Sequence, residues 1–333
     1  MKANSPSFSI TEKIINLVAE IAEHVGKIQG INEYKQDLRL RKINRFRSIQ
    51  SSAAIEGNTL SLEQVSDIIS GKRVIGNPRE IKEIKNIYDV YEQMLKFNPL
   101  NIKDFLFAHK LMTSDLVDES GKFRSSNVGV FSGKKIVHLG ARPDFIQVLM
   151  DNLFEWAKKP EVHPLIKSSI IHFEIEFIHP FADGNGRMGR FWQTLILSKW
   201  QSIFAWIPIE TVIYKNQQEY YRVLGNAENT ADSTEFIEFM LNAIVKTLNE
   251  LTTNKISDKT SDIISDKLTK SEREFLINIT EYLKNNGEID SYKAQLLTGK
   301  SPQRVRQYFA ILVKNNILAA VGANKGRKYR LIT

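Results

Sequence analysis

The sequence predicts a mainly α protein of two domains with two small β elements. Three observations carry this reading. Apolar residues recur at helical spacing over most of the chain, and that period breaks in only two places: the Gly- and Ser-rich run GKFRSSNVGVFSGKKIVHLG and the C-terminal ILAAVGANKGRKYRLIT. A polar Ser/Thr/Asp/Lys-rich stretch, TTNKISDKTSDIISDKL, separates a nearly neutral chain from a basic tail. From Lys270 to Thr333 there are 12 Lys and Arg against 5 Asp and Glu, so this tail holds +7 of the chain's +8.

Composition sets the outer limits. A chain of 333 residues, 42% hydrophobic and 25% charged, can bury a large core and form two domains. With no cysteine, disulfides and thiolate zinc sites are excluded and a reducing compartment is compatible. No apolar run approaches the roughly 20 residues of a membrane span, and MKANSPSF lacks a signal-peptide core. A soluble, cytoplasmic protein without a membrane partner is expected.

In chain order, residues 1–50 read as a disordered-looking start followed by two packing helices. The first places Ile14, Leu17, Ile21 and Val25 at helical spacing, and the second runs from about Asn32 to Ile49. SSAAIEGN then predicts a short helix ended by Gly57, with Ser52 and Glu56 at i, i+4 on one face. Spacing alone makes Glu56 an ordinary solvated residue. Ser61 and Gln64 predict a capping box, and Pro78 the first residue of another helix. NIKDFLFAHKLMTSDL is helical, and GKFRSSNVGVFSGKKIVHLG is a β-hairpin that packs as a flap or offers an edge to an extended peptide. Helices over ARPDFIQVLMDNLFEWAKK and HPLIKSSIIHFEIEFIH follow. The second of these carries Ile166, Ile170, Phe173 and Phe177 on one face.

The chain then reaches HPFADGNGRMGR, His179 to Arg190, between that helix and GRFWQTLILSKW. Twelve residues hold an imidazole, a carboxylate, a carboxamide, two guanidiniums and three glycines, a set unsuited to a core. The following helix aims its free amides and positive dipole end at the loop, glycines permit close approach, and Arg187 and Arg190 supply forked donors, so the loop reads as a phosphate site. Zinc held by His172, Glu176 and His179 at i, i+4, i+7 is the competing reading. It leaves Asn185, Arg187 and Arg190 without a role and sets two guanidiniums beside a dication. Transfer from a nucleotide employs every group: a neutral imidazole takes a hydroxyl proton, Asp183 holds Mg²⁺ on the phosphates, and Asn185, Arg187 and the helix amides stabilise developing charge. No G-x-x-x-x-G-K-[ST] run occurs.

Further helices, WIPIETVIYKNQQEYYRVLGNAENT and STEFIEFMLNAIVKTLNEL, close the domain that spans 51–251, with Tyr214, Tyr220 and Tyr221 as adenine-pocket candidates against a default role in the core. Residues 252–269 form the linker. The segment 270–333 reads as helix, helix-turn-helix and a two-stranded basic tip, and resembles the winged-helix family. That resemblance offers Gln303, Arg304, Arg306, Gln307 and Lys314 on the second helix of the pair, and Lys325, Arg327 and Lys328 on the wing, as DNA contacts; a protein partner is the alternative.

HPFADGNGRMGR also resembles the signature of the Fic family, HPFx[DE]GNGRxxR, at every specified position, and the likeness covers roughly Ser51 to Leu251. It implies transfer of AMP from ATP to a Ser, Thr or Tyr hydroxyl of a target protein, with release of pyrophosphate; the chain's own many Ser, Thr and Tyr residues make it a candidate target too. By that likeness His179 is the general base and Asp183 the Mg²⁺ ligand. Gly184, Asn185, Gly186 and Arg187 bind phosphate, and Arg190 partners the distal phosphate. Relatives that transfer phosphate carry Lys where Gly186 stands. The hairpin residues Lys134, Lys135, Ile136, Val137, His138, Leu139 and Gly140 resemble the flap that aligns the target. Ser52, Glu56 and Gly57 match the family's [ST]xxxE[GN] inhibitory motif in its N-terminal position. Glu56 on Arg190 would hold ATP unproductively, so weak activity as isolated is expected. The alternatives are removal of AMP by the same site, and a DNA-binding regulator that senses nucleotide.

Overall fold

The computed structural model describes residues 5–30, 38–132, 135–265, 268–315, 317–322 and 327–332. The chain divides into two compact units, Met1–Glu250 and Leu251–Thr333. In the first unit, α1 (Glu12–Gly30), α2 (Leu38–Ile55), α3 (Leu62–Ile69), α4 (Pro78–Glu92) and α5 (Ile102–Met112) precede the hairpin of β1 (Gly129–Ser132) and β2 (Lys135–Leu139). Then come α6 (Pro143–Ala157), α7 (Pro164–Ile178), α8 (Asn185–Trp200), α9 (Ile209–Lys215), α10 (Gln217–Thr230) and α11 (Thr234–Ser265), of which the residues to Glu250 belong to this unit.

The starts of these helices follow from local chemistry. Ser61 and Gln64 form the expected reciprocal capping box on α3. Pro78 and Pro164 stand in the first turns of α4 and α7, where a missing N–H costs nothing, behind the side-chain caps Asn77 and His163. The core lies around α7 and α8. Both are buried on nearly every side, so the single apolar face expected for α7 is an underestimate; only Phe177 of that stripe is exposed. Trp192, fully buried on α8, sits among Phe105, Phe154 and Phe191 and donates its indole N–H to Pro99 O at 3.1 Å.

Two expectations change. SSAAIEGN is not a separate short helix: Ser51 to Ile55 are the last turn of the 18-residue α2, which ends at Glu56 and Gly57 (φ 92°). Its small residues are what allow α2 to lie close in, since Ser51, Ser52, Ala53 and Ala54 are all buried. Ser7 and Ser9 are also tied down, with Ser9 N–H on Thr234 Oγ1 at 2.8 Å and Ser233 N–H on Ser7 O at 2.9 Å.

Helix α2 is anchored firmly. Glu210, 1% exposed at the start of α9, accepts from Ser48 Oγ at 2.8 Å, Tyr91 Oη at 2.8 Å and Thr194 Oγ1 at 3.3 Å, tying α2, α4 and α8 to one carboxylate. The Arg45 guanidinium lies 4.9 Å from the Tyr91 ring centroid and 4.7 Å from that of Trp206. Two α10 side chains, Gln217 Nε2 at 2.8 Å and Tyr221 Oη at 3.1 Å, donate to the terminal Ile55 carbonyl.

Helix α11 continues to Ser265, through most of the stretch where polar composition predicts a linker. The second unit contains α12 (Lys270–Asn286), β3 (Ile289–Asp290), α13 (Ser291–Thr298), α14 (Pro302–Lys314), β4 (Leu318–Val321) and β5 (Lys328–Leu331). Its antiparallel sheet has the order β3-β5-β4, one strand more than the sequence predicts. Phe275, Val305, Phe309 and Leu312 form its core, with Phe309 stacked on Tyr329 at 3.9 Å. No helix among the described residues is long and apolar enough to cross a membrane.

Candidate active site

His179 closes α7 in the left-handed region, φ 53° and ψ 59°. A side chain there costs about 1 kcal/mol, so the surroundings must impose it. Its N–H donates to Ile175 O at 3.0 Å, and its carbonyl accepts from Arg124 Nε at 2.7 Å. Arg124 is 2% exposed and completes its fork on Ser126 O at 2.6 Å and on Ala141 O. One guanidinium thus joins the catalytic loop to both ends of the hairpin. The Ala141 N–H adds a bond to Ile178 O at 3.1 Å. The His179 Nδ1 lies 3.3 Å from Glu176 O. A carbonyl only accepts, so Nδ1 carries the hydrogen and Nε2 keeps the lone pair a base needs.

The loop body is fastened from inside. Asn185 accepts from Phe181 N–H through Oδ1 and donates to Phe181 O through Nδ2, both at 2.9 Å. Its carboxamide is therefore held in place by the loop, with one Nδ2 hydrogen on Phe181 O. His109 stacks on Phe181 with centroids 3.6 Å apart. It accepts from Gly121 N–H at Nδ1 and donates from Nε2 to Asp183 O, each at 3.0 Å. Burial pushes its pKa down to about 4, so it stays neutral. Gly184 (φ 89°) is the N-cap of α8 and brings no capping side chain, which leaves the first-turn amides of Asn185, Gly186 and Arg187 for another acceptor.

The two arginines are engaged by carboxylates. Arg187 donates from Nη1 to Glu83 Oε1 and from Nη2 to Asp183 Oδ1, both at 2.5 Å, and Asp183 lies 3.6 Å from Arg79 Nη2. Asn58 Nδ2 holds the other Glu83 oxygen at 2.8 Å. Arg190 is 2% exposed. It donates from Nε to Ser52 Oγ at 3.1 Å and from Nη2 to Ser52 O at 3.0 Å and Glu56 Oε1 at 2.6 Å. Burial opposes its charge, but Glu56, Tyr220 and Glu176 together outweigh that and hold its pKa above the usual range. Arg187 Nε and Arg190 Nη1 are buried without a hydrogen-bond partner. A cavity of about 270 Å³ is lined by Glu56, Asn77, Arg79, Glu83, Asp183 and Arg187.

Gly186 lies where these groups converge. A Cβ there would come 2.3 Å from Glu56 Oε1 and 3.0 Å from both Arg190 Nη1 and Glu176 Oε1. At Gly189 a Cβ would stand 2.5 Å from His172 Cδ2, so the glycine sets how closely α8 approaches α7.

The structure thus brings together Ser52, Glu56, His179, Asp183 and the residues from Gly184 to Arg190. His172, Glu176 and His179 do not form a zinc site: His172 and Glu176 are bound up with Gln193 and Tyr220, and no group of three potential ligands occurs among the described residues. The three tyrosines diverge. Tyr220 is fully buried on His172 and Glu176, Tyr221 caps α2, and Tyr214 is 41% exposed. In the hairpin Gly129 pairs with Leu139, Val130 with His138, Phe131 with Ile136 and Ser132 with Lys135. Lys134 and Lys325 lie outside the described residues. Arg124, His109 and Glu83 carry no signal in sequence spacing, because their partners are backbone carbonyls or residues far along the chain.

A helix start with uncapped amides, two guanidiniums with orphaned donors and an imidazole with its Nε2 lone pair available meet in one loop of a helical domain. A model of the Fic/DOC family matches residues 99–197. The crystal structure of a Fic family protein from Desulfovibrio desulfuricans G20 is 40% identical, covers 98% of each chain and superposes with a TM-score of 0.73. This chain belongs to the Fic family. Fic-1 from C. elegans shares the fold at 22% identity, with a TM-score of 0.61 over 73% of each chain. Among curated proteins, the protein adenylyltransferase Fic of Nematostella vectensis is 27% identical over 61% of this chain and 48% of its own length. That of Drosophila grimshawi is 26% identical over 74% and 53%. The chain therefore spans about half the length of the curated relatives it matches.

Proposed function

We propose that the chain is a protein adenylyltransferase held in check by its own Glu56. The observation that carries this reading is the Glu56–Arg190 contact at 2.6 Å, in which the inhibitory motif occupies the guanidinium that a terminal phosphate would need. Around the loop, Arg79, Arg187 and Arg190 face Glu56, Glu83 and Asp183. Glu80 also lines the cavity, and removing Glu56 takes one negative charge from beside Arg190, a change that favours a polyphosphate.

In the reaction, the target hydroxyl oxygen forms a bond to the α-phosphorus of ATP. The bond from that phosphorus to the bridging oxygen breaks, pyrophosphate leaves, and the hydroxyl proton passes to His179 Nε2. The amides of Asn185, Gly186 and Arg187 face the charge that develops on phosphate oxygens. Asp183, whose side chain is 41% exposed at the cavity, is a hard oxygen donor of the kind Mg²⁺ takes together with phosphates. Bound there, the ion would neutralise phosphate charge. The β1–β2 hairpin, fastened to His179 through Arg124, is the element on which a target segment would align.

The test is the intact mass of Glu56→Gly protein after incubation with ATP and Mg²⁺, alone and with a lysate. Mass increments of one AMP on this chain or on a captured protein, absent in Glu56→Gly/His179→Ala, are expected; unchanged masses in both would sink the reading. Glu56 also lines the cavity, where it could orient a water. Faster loss of AMP from a modified target with wild type than with Glu56→Gly would assign the opposite reaction.

The second unit reads as a winged helix that binds duplex DNA. Gln303, Arg304, Arg306, Gln307 and Lys314 on α14 and Arg327 and Lys328 by β5 are exposed, and a groove of about 830 Å³ carries Arg306, Lys314 and Arg327. Duplex binding that weakens steeply with salt and survives His179→Ala is expected; its absence at low salt would remove the reading.

A further inference from the structure

Arg187 stands between two carboxylates of unlike character, and nucleotide transfer gives a task to only one of them. Its Nη1 donates to Glu83 Oε1 and its Nη2 to Asp183 Oδ1, both at 2.5 Å. Asp183 belongs to the loop, has a side chain 41% exposed, and its second oxygen lies 3.6 Å from Arg79. Glu83 belongs to α4, has a side chain 13% exposed, and its second oxygen accepts from Asn58 Nδ2 at 2.8 Å. Asn58 is fixed in turn. Its N–H donates to Ala53 O at 3.1 Å, its Oδ1 accepts from Leu60 N–H at 3.0 Å, and its Nδ2 also reaches Glu80 O at 3.3 Å.

The two carboxylates also sit on different parts of the fork. In a guanidinium, Nε and the Nη2 next to it form the side edge, where two parallel N–H bonds can reach one anion. Arg187 Nε is buried without a partner, and Asp183 takes Nη2, so the loop carboxylate covers half of that edge. Glu83 is off it, on Nη1. A phosphate that takes the edge, and a cation that takes the Asp183 oxygens, make the same demand: the Arg187–Asp183 contact opens. Opening it leaves a guanidinium beside a dication, the clash that counts against zinc in this loop. A carboxylate that stays on Nη1 relieves the clash and keeps the fork from swinging back onto Asp183.

We propose that Glu83, latched by Asn58, is the positioning residue for Arg187: it keeps its hold on that guanidinium while nucleotide binds, so that Asp183 is released to a cation carried by the phosphates. Asp183 exchanges because it is exposed and loosely backed; Glu83 stays because it is covered and gripped from behind. The role rests on the site's being one for ATP with Mg²⁺. It separates Glu83 from Glu56 in kind. Both are carboxylates on an arginine of the loop, yet loss of Glu56 should help a nucleotide bind, and loss of Glu83 should harm the binding of its magnesium complex.

That sign is the test. The parent protein is Glu56→Ala, which frees Arg190; alanine puts no second glycine beside Gly57 and so does not loosen the turn that carries Asn58. ATP·Mg²⁺, and ATP in excess EDTA, are titrated calorimetrically into the parent and into the parent with Glu83→Gln or Asn58→Ala added. Were Glu83 one more repelling anion, Glu83→Gln would tighten both complexes. Instead ATP·Mg²⁺ should bind about tenfold more weakly, the scale of one nearby charge, while metal-free ATP binds at least as tightly as to the parent. Asn58→Ala alters no charge and should weaken ATP·Mg²⁺ in the same direction. Equal or tighter ATP·Mg²⁺ binding by Glu83→Gln overturns the proposal. If Glu83→Gln binds neither form, its fold has failed and Asn58→Ala decides: a loss confined to ATP·Mg²⁺ sustains the role, and unchanged affinity overturns it. A parent that binds ATP in neither form would instead overturn the ATP site, and this role with it.

Discussion

The two ends of the loop are held in opposite ways. At the His179 end every restraint is internal and permanent: Arg124 serves three carbonyls, Asn185 closes on Phe181, and His109 bridges Gly121 and Asp183. At the Arg190 end the principal partner is Glu56, a carboxylate one-third exposed just past a helix terminus. In the proposed function, the base is preorganised at all times, whereas the anion site is blocked by a group that can leave, and relief of inhibition would need no rearrangement of His179.

Breaking the permanent end should have the largest effect. Arg124→Ala leaves three partly buried carbonyls without their donor and should cost about 2–4 kcal/mol in denaturant unfolding. It should also abolish AMP transfer in a Glu56→Gly background. Full activity there would show that the clamp does not position His179. Breaking the exchangeable end should instead raise activity: Glu56→Gly is expected to increase label incorporation from α-labelled ATP by about tenfold or more, equivalent to about 1.4 kcal/mol, with Glu56→Gln between it and wild type.

The glycines sharpen the contrast at smaller amplitude. Gly189→Ala drives a methyl into the His172 ring, which is packed on all sides, and should lower stability by about 1–3 kcal/mol. Gly186→Ala meets its nearest atom at the flexible end of Glu56 and should cost less than about 1 kcal/mol while weakening inhibition. Chemical denaturation of both, with activity assayed alongside, checks the ordering.

The smallest effect concerns acid stability. His109 and His172, pushed down from 6.5 to about 4 and 3, bind protons only when unfolded, so stability they confer above pH 6.5 is lost as pH falls toward those values. Glu174 and Glu176, pushed up from 4.5 to about 7, act in reverse: the stability they confer is full below pH 4.5 and lost as pH rises to 7. Between about pH 4.5 and 6.5 the two pairs should cancel, and below 4.5 the histidine loss should show through. A steep slope inside that window, measured by unfolding across pH, would mean one pair is misassigned.

Much of the loop was legible in sequence because its chemistry is local: imidazole, carboxylate, glycines and guanidiniums stand within twelve residues, and helix periodicity on both sides fixes their setting. Glu56 became legible only through family likeness, since its partner Arg190 lies 134 positions away. Arg124 and His109 could not be read, because they grip main-chain carbonyls, which every sequence possesses. Tyr214, Tyr220 and Tyr221 stand close in sequence, yet the fold sends them to solvent, core and a helix end, so only Tyr220 takes the core role that is the default for all three. The extent of α2 was missed because small residues look like a break in the apolar pattern, whereas they mark its tightest packing.

The anchoring of α2 by Glu210 and Arg45 has a consequence for how inhibition scales. In the proposed inhibition, Glu56 acts as a tethered ligand, present at Arg190 at an effective concentration on the order of millimolar or above, whatever the amount of protein. Dilution would not relieve it, and a rise in ATP would compete against a fixed opponent. The basal rate should thus depend on the ratio of nucleotide affinity to tether strength, a threshold written into the chain and not into its abundance.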